Sequence, residues 1–257
     1  MARSAQDPWR DGAPPHLPAK LGMLPPVCLL PGDPARVDLA AEVLADFDIV
    51  GDNREFRIGV GSLDGTPIAV CSTGIGGPST EIAVVELARL GVTTVLRTGG
   101  MGALTQRIAP GSVCAVTRAV PGSGAAAYYA TTPDGSTADD EVLAALRAGA
   151  ASLGTGLTEV TVASTDSYYL GQGRPLPGHQ DRAAERLAAL NRLGVDGLDM
   201  EAETVLAVAR AMGVRAGALL VAHANRATDD WLEDYRPAQL AMLRLAAHCA
   251  RSLSVVG

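Results

Sequence analysis

The sequence predicts an α/β domain whose sheet is covered on both faces. Three observations carry the prediction. Short apolar β-type runs alternate along the chain with longer helical patterns. The runs are apolar throughout rather than alternating with polar residues, as in strands buried on both sides. Hydrophobic residues make up 47% of the 257-residue chain, enough for a sizeable core.

Taken in order, the first run is Val27-Cys28-Leu29-Leu30, which stops at Pro31-Gly32-Asp33-Pro34. A helix is predicted over 35–44. Runs at 56–60 and 68–72 flank Leu63-Asp64-Gly65-Thr66, a hairpin turn sequence. The segment STGIGGPST follows, then a helix over 79–90 that Gly91 ends. Residues 92–97 are the next strand. It closes on Arg97, and Gly99, Gly100 and Gly102 then read as a turn almost without side chains. Two more strands are predicted at 113–117 and 160–163. The stretch 121–140, rich in Gly, Ala, Thr and Asp, reads as a loop. Helices are predicted over 140–153 and 202–212, the second ended by Gly213. A late strand at 219–222 and a C-terminal helix over 237–253 complete the pattern. Residues 1–20 are polar and proline-rich and read as a loose N-terminal tail; no linker divides 21–257, which reads as one domain.

Composition excludes several functions. The formal net charge is −7, a poor basis for gripping a nucleic-acid backbone. Lys20 is the sole lysine, which excludes a Walker-type phosphate loop and argues against Schiff-base chemistry. Four widely spaced cysteines without a CxxC pair argue against a zinc site or a disulfide framework, and read as buried small hydrophobes in a reducing compartment. There is no apolar signal-peptide core and no run of membrane-span length, so a soluble cytoplasmic protein is expected.

Ligands of such sheets gather at the carboxyl ends of strands. PGDPAR, STGIGG, RTGGMG and HANR all fall at predicted strand ends. Arg36, Arg97 and Arg226 are therefore expected to converge on one crevice. Each alone also reads as a surface or helix-capping arginine. Arg97 fits that reading least, because it belongs to a strand, and a guanidinium is costly to bury unless an anion meets it.

LLPGDPARV, REF, VCSTGIGGPSTEIAVVELARLGV, LRTGGMGAL, GQGR, DMEAET and NR occur in the order and near-spacing seen in the uridine phosphorylases. Over about 16–253 the chain resembles that family, within the nucleoside phosphorylase-I superfamily. The resemblance implies a single α/β domain with a central, mixed, partly barrel-like sheet flanked by helices. It implies a homo-oligomer built from dimers, often a hexamer, with active sites shared between subunits. The implied reaction is phosphorolysis of a uridine-like pyrimidine nucleoside to free base and ribose 1-phosphate, a glycosyltransferase reaction. Phosphate is then a co-substrate, and no cofactor is expected apart from a possible structural potassium or sodium ion.

Carried over residue by residue, the resemblance places Gly32, Arg36, Arg97 and the Gly100 position at phosphate, with Arg54 reaching in from a neighbouring subunit. Arg36, Arg54, Arg97 and Glu201 form the implied catalytic set. Glu201 would accept hydrogen bonds from the ribose 2′ and 3′ hydroxyls, beside Met200, with His16 of a neighbour at the 5′-hydroxyl; Glu201 reads equally as an acid favoured at a helix N-terminus. Gly102, Tyr168, Gln172, Arg174, His223 and Arg226 would surround the base, Gln172 and Arg174 reading uracil. Glu55, Ile75 and Ser79 match positions that hold a monovalent cation.

Four positions depart from the family pattern. Gly100 and Met101 stand where threonine and a small hydroxyl residue are usual, Asp199 replaces a glutamate, and His223 takes an apolar place. The missing hydroxyl predicts weaker phosphate binding or slower phosphorolysis. The late loop His223-Ala224-Asn225-Arg226 lacks the acid that purine-specific relatives use, which favours a pyrimidine. A nucleosidase, or a phosphorylase of an unusual nucleoside or nucleotide, is the alternative on this scaffold; a non-catalytic nucleoside-binding subunit is a third reading.

Overall fold

The fold is described from a computed structural model, which covers residues 4–130 and 132–254. In chain order it runs β1 (Val27–Leu30), α1 (Ala35–Leu39), β2 (Ala45–Asn53), β3 (Phe56–Leu63), β4 (Thr66–Cys71), α2 (Gly77–Arg89), β5 (Thr94–Ala103), β6 (Val113–Val120), α3 (Gly124–Ala127), β7 (Ser136–Thr137), α4 (Asp140–Leu153), β8 (Thr158–Ser164), α5 (Gln180–Arg192), β9 (Gly197–Asp199), α6 (Ala202–Ala211), β10 (Arg215–Asn225), β11 (Asp230–Trp231) and α7 (Arg236–Ser254).

One mixed sheet organises the molecule. β10, β6, β8, β9 and β5 pair in succession, and β5 pairs back onto β10, closing a small barrel. From β5 the sheet continues outward through β1, β4, β3 and β2. The expected α/β domain with a partly barrel-like sheet is what the chain forms. α7 lies across β1, β4, β5 and β10 with α4 against it, while α6 lies against β6, β8 and β10 with α2 packed on it. Each central strand is therefore covered on both sides, which is why its residues are apolar without alternation. Val27, Cys28, Leu29 and Leu30 are all fully buried. Among the described residues no helix is long and apolar enough to cross a membrane.

Several elements follow local signals closely. α4 begins behind Asp139, whose carboxylate accepts from Glu141 N at 3.0 Å, and ends on Gly154 in the left-handed region. Asp64 and Gly65 both have positive φ (49° and 77°), as a two-residue hairpin turn between β3 and β4 requires.

Other expectations need correcting. The glycines after Arg97 are not a turn: β5 runs straight through them to Ala103, paired with β10 along its length and with β9 at its end. The helix predicted over 35–44 closes after two short turns, α1 and a 3₁₀ turn at Ala40–Glu42, because β2 begins at Ala45. The loop predicted at 121–140 contains α3 and β7. The segment expected as a loose tail is anchored near its end. Leu17 and Ala19 are buried, Leu17 N donates to Glu86 Oε2 at 2.7 Å, and Asn53 donates to the His16 carbonyl at 2.6 Å.

Candidate active site

A cavity of about 750 Å³ opens at the carboxyl ends of β1 and β5, within the size range of ligand sites. β5 contributes Arg97, Gly100, Met101 and Gly102; the segment after β1 contributes Gly32 and Arg36. Met200 and Glu201 come from the turn between β9 and α6, Tyr168, Gln172 and Arg174 from the segment after β8, and Glu55 and Ile75 from the rim.

Arg97 is the centre of the arrangement. It is 3% exposed, and two carboxylates hold it. Its Nε donates to Asp199 Oδ2 at 3.1 Å, and its Nη2 donates to Glu201 Oε2. Asp199 is itself fixed: it accepts from Ser164 Oγ at 2.5 Å and from the Ala202 amide at 2.8 Å. The guanidinium folds back over its own strand. A Cβ on Gly99 would lie 2.5 Å from Arg97 Nη2, so only glycine leaves room for the fold. The third nitrogen, Nη1, is buried with no partner among the described residues. A guanidinium with two nitrogens tied and one donor free has the chemistry to meet an anion.

Arg36 stands at the same cavity without a side-chain hydrogen bond or ion pair among the described residues. Burial lowers its pKa, and the like charge of Arg97 lowers it further; Asp33 and Glu201 oppose this. Arg97 is met by two carboxylates and Arg36 by no partner of its own among the described residues, so an anion in this space would offset the repulsion between them.

Glu201 is 6% exposed, and each of its oxygens has one partner: Oε1 accepts from Gly76 N at 2.6 Å and Oε2 from Arg97. Gly76 has φ of 92°, which turns its amide toward the carboxylate. A carboxylate has about four acceptor positions, so each oxygen can still accept one hydroxyl. Burial pushes the Glu201 pKa up, Arg97 pulls it down, and Asp199 pushes it up again.

At the other end, Arg174 Nη1 donates to Gln172 Oε1 and to the Tyr168 carbonyl at 2.6 Å, and its guanidinium lies 3.7 Å from the centre of the Tyr168 ring. Gln172 is 3% exposed, with its Nε2 near the Asp199 carbonyl at 3.4 Å. The amide, guanidinium and phenol ring form one assembled wall, whose amide supplies both a donor and an acceptor. Burial lowers the pKa of Arg174.

Not every expected residue meets here. Arg226 does not line the cavity. Its two terminal nitrogens donate to the backbone carbonyls of Gln172 and Gly173, so it holds the Gln172 loop from behind, and of the three arginines expected to converge only Arg36 and Arg97 line the cavity. Arg54 lies outside the cavity of its own chain, at a positive φ of 56° in the turn between β2 and β3. His16 is also outside it, with its ring nitrogen 2.7 Å from Glu86 Oε1. Gly100 lines the cavity, but a Cβ there would lie 2.4 Å from His223 Cε1; of the three β5 glycines, Gly102 alone faces open space. Glu55 and Ser79 flank Gly74, and Ser79 Oγ donates to the Ile75 carbonyl at 3.3 Å, so the three residues of the expected cation set are neighbours.

Sequence reasoning missed Trp231 of β11, which lines the cavity while 54% exposed, and the anchoring role of Asp199. The first carries no local signal. The second was signalled by an acid two residues before Glu201 in DME. The four cysteines are buried free thiols, and burial pushes Cys114 and Cys249 up to about 12, so none is a nucleophile.

The sequence profile of the phosphorylase superfamily matches residues 26–253. A uridine phosphorylase of Thermococcus kodakarensis is 39% identical over 84% of this chain and 79% of its own. A uridine phosphorylase of Escherichia coli K12 is 37% identical over 78% of this chain and 80% of its own. A guanosine phosphorylase of Halorubrum lacusprofundi is 35% identical over 82% of this chain and 83% of its own.

Proposed function

The chain belongs to the phosphorylase superfamily, and from that premise we propose that its cavity carries out phosphorolysis of a pyrimidine nucleoside, with uridine as the first substrate to test. It is a pentosyltransferase: the ribosyl group passes from the base to phosphate. A phosphate oxygen attacks the anomeric carbon, the glycosidic bond breaks, its electron pair leaves with the base, and solvent protonates the base. The products are uracil and ribose 1-phosphate. The nucleophile is already an anion, so the protein has to position it and stabilise charge rather than activate it.

The observation that carries this reading is the free Arg97 Nη1 beside the unpaired Arg36. Together they match phosphate oxygens in geometry and charge. In the proposed pose Glu201 accepts from both ribose hydroxyls, Met200 packs on the sugar, and Gln172 and Arg174 meet the O2, N3–H and O4 edge of uracil. Arg174 also stabilises charge developing on the leaving base, and Arg226 fixes the loop that presents them. Gly32 admits phosphate close to the backbone.

We propose further that the sites are shared within a homo-oligomer built from dimers, a hexamer when fully assembled. Arg54 and His16 lie outside their own cavity and would complete a neighbour's. Glu55, Ile75 and Ser79 would hold a potassium or sodium ion; their carboxylate, carbonyl and hydroxyl oxygens suit a hard monovalent cation. No other cofactor is proposed. Free buried thiols suit a reducing cytoplasm. Incubation with uridine, with and without phosphate, tests the function. Uracil released only with phosphate is expected; equal release without it would make the protein a nucleosidase, and faster release of guanine from guanosine would move the base assignment.

A further inference from the structure

His223 sits where the strand pairing breaks. β10 and β5 run parallel in register from Arg215↔Thr94 to Ala222↔Met101, then resume at Ala224↔Gly102. His223 is the extra residue of a bulge, and bulges beside active sites re-aim a side chain. Here the imidazole is turned onto β5. A Cβ built on Gly100 would meet Cε1 at 2.4 Å, Nδ1 at 2.6 Å and Nε2 at 3.0 Å, so the ring fills the space that a side chain at position 100 would take. The opposite face of the ring packs on Tyr235, with centroids 4.6 Å apart, and Trp231 stands edge-on to Tyr235. Packing therefore holds the ring in place, yet it is polar and unused: Nε2 is buried with no partner, and neither nitrogen bonds to a described residue.

The end of the cavity to which this ring belongs follows from its neighbours. His223 lines the cavity together with Arg36, whose positive charge bears on the ring. Gly100, which it covers, lies on the same strand three residues beyond Arg97. His223 thus shares the cavity with both guanidiniums, and Arg36 is the one whose charge reaches the ring.

We infer that His223 is a phosphate ligand: seated on Gly100, its imidazole donates one N–H to an oxygen of the phosphate that Arg36 and Arg97 hold. This rests on the phosphorolytic reading above and moves His223 from the base end to the phosphate end of the site. The imidazole then supplies the contact that the hydroxyl-free Gly100 does not. Burial, with Arg36 adding to it, lowers the His223 pKa to about 4, so the ring is neutral near pH 7 and always keeps one N–H to give. The histidine ring at 223 requires glycine at 100.

Steady-state kinetics on four variants tests the pair. His223→Phe keeps the ring and its packing on Tyr235 but removes the donor. It should raise KM for phosphate roughly tenfold or more, as for loss of a hydrogen bond to a charged group, with KM for uridine nearly unchanged. His223→Gln, which retains an N–H, should recover most of that loss. Gly100→Thr alone should be severely impaired, because its Cβ meets the imidazole. Adding His223→Ala to Gly100→Thr should restore phosphate binding above either single variant. A His223→Phe protein that raises KM for uridine but not for phosphate overturns the inference, as does a double variant no better than Gly100→Thr alone.

Calorimetric titration of the wild type and His223→Phe with inorganic phosphate alone, and separately with uridine 5′-monophosphate, separates this inference from its parent. Wild type that binds phosphate but releases no base fails the parent reading, while the His223 comparison still stands. Weakened nucleotide binding with unchanged inorganic phosphate binding would assign the anion to the nucleotide and overturn the inference.

Discussion

Replacing Asp199 by Asn should loosen Arg97 and destabilise the fold together. The change conserves shape but removes a charge. Asp199 Oδ2 accepts from Arg97 Nε at 3.1 Å, Ala202 N at 2.8 Å and Glu201 N at 3.2 Å, while Oδ1 accepts from Ser164 Oγ at 2.5 Å. Arg97 Nε, Ala202 N and Glu201 N can only donate and share Oδ2, so an Asn amide nitrogen must take the Oδ1 place, where Ser164 Oγ can accept it only by turning its own O–H away. Breaking a buried ion pair costs about 3–5 kcal/mol. Glu201 still neutralises Arg97 here, which argues for the lower end, about 3 kcal/mol. For a domain of this size that lowers Tm by roughly 6–12 °C. Calorimetry at fixed protein concentration and pH 7 gives the shift, and steady-state kinetics gives KM for phosphate, which should rise because Arg97 loses its fixed orientation. A drop below about 2 °C with unchanged KM for phosphate would refute the view that Asp199 positions Arg97.

Three further outcomes follow from the same geometry. Mixing Arg54→Ala and Arg97→Ala proteins, each inactive, should restore part of the activity once subunits exchange; proven mixed oligomers without recovery would count against shared sites. Uridine should exceed cytidine in kcat/KM by roughly tenfold to several thousandfold, since a cytosine amino group and bare N3 mispair with Gln172 and Arg174 at about 1–3 kcal/mol per mismatch; cytidine or inosine outrunning uridine would sink that assignment. The folded-state pKa of His223, about 4, lies below the ordinary 6.5 of an unfolded histidine, so the unfolded chain binds the extra proton first. Stability should therefore fall as pH drops from about 6.5 to 4, and His223→Gln should flatten that part of the urea-denaturation profile; identical profiles would contradict the buried neutral ring.

The sheet order is only partly written in local sequence. α4 was legible to the residue because both of its ends carry side-chain or glycine signals. β5 was cut short at Arg97 because three of its residues beyond that point are Gly99, Gly100 and Gly102, poor strand formers by propensity. Tertiary pairing with β10 and β9 overrides that propensity, and the glycines are there to let Arg97 and His223 lie across the strand. β2 escaped notice because it is an edge strand with no fully buried residue. α5 escaped because only Ala183 and Leu190 of its thirteen residues are buried, too few for an apolar stripe. In the site, Arg36, Arg97, Glu201, Gln172 and Arg174 were legible as motif residues. The division of labour between Arg97 and Arg226 was not: both are arginines near strand ends, and only the structure separates the one facing the cavity from the one bonded to the loop carbonyls.

The central claim is that phosphate held by Arg36 and Arg97 is the nucleophile. The direct measurement is turnover of uridine in phosphate labelled with oxygen-18 at all four positions, followed by phosphorus NMR and mass spectrometry of the sugar product. Attack by a phosphate oxygen on the anomeric carbon predicts ribose 1-phosphate that retains all four labels, with none formed by an Arg97→Ala protein at the same phosphate concentration. Free ribose without label, beside unchanged labelled phosphate, would show that water is the nucleophile and contradict the account.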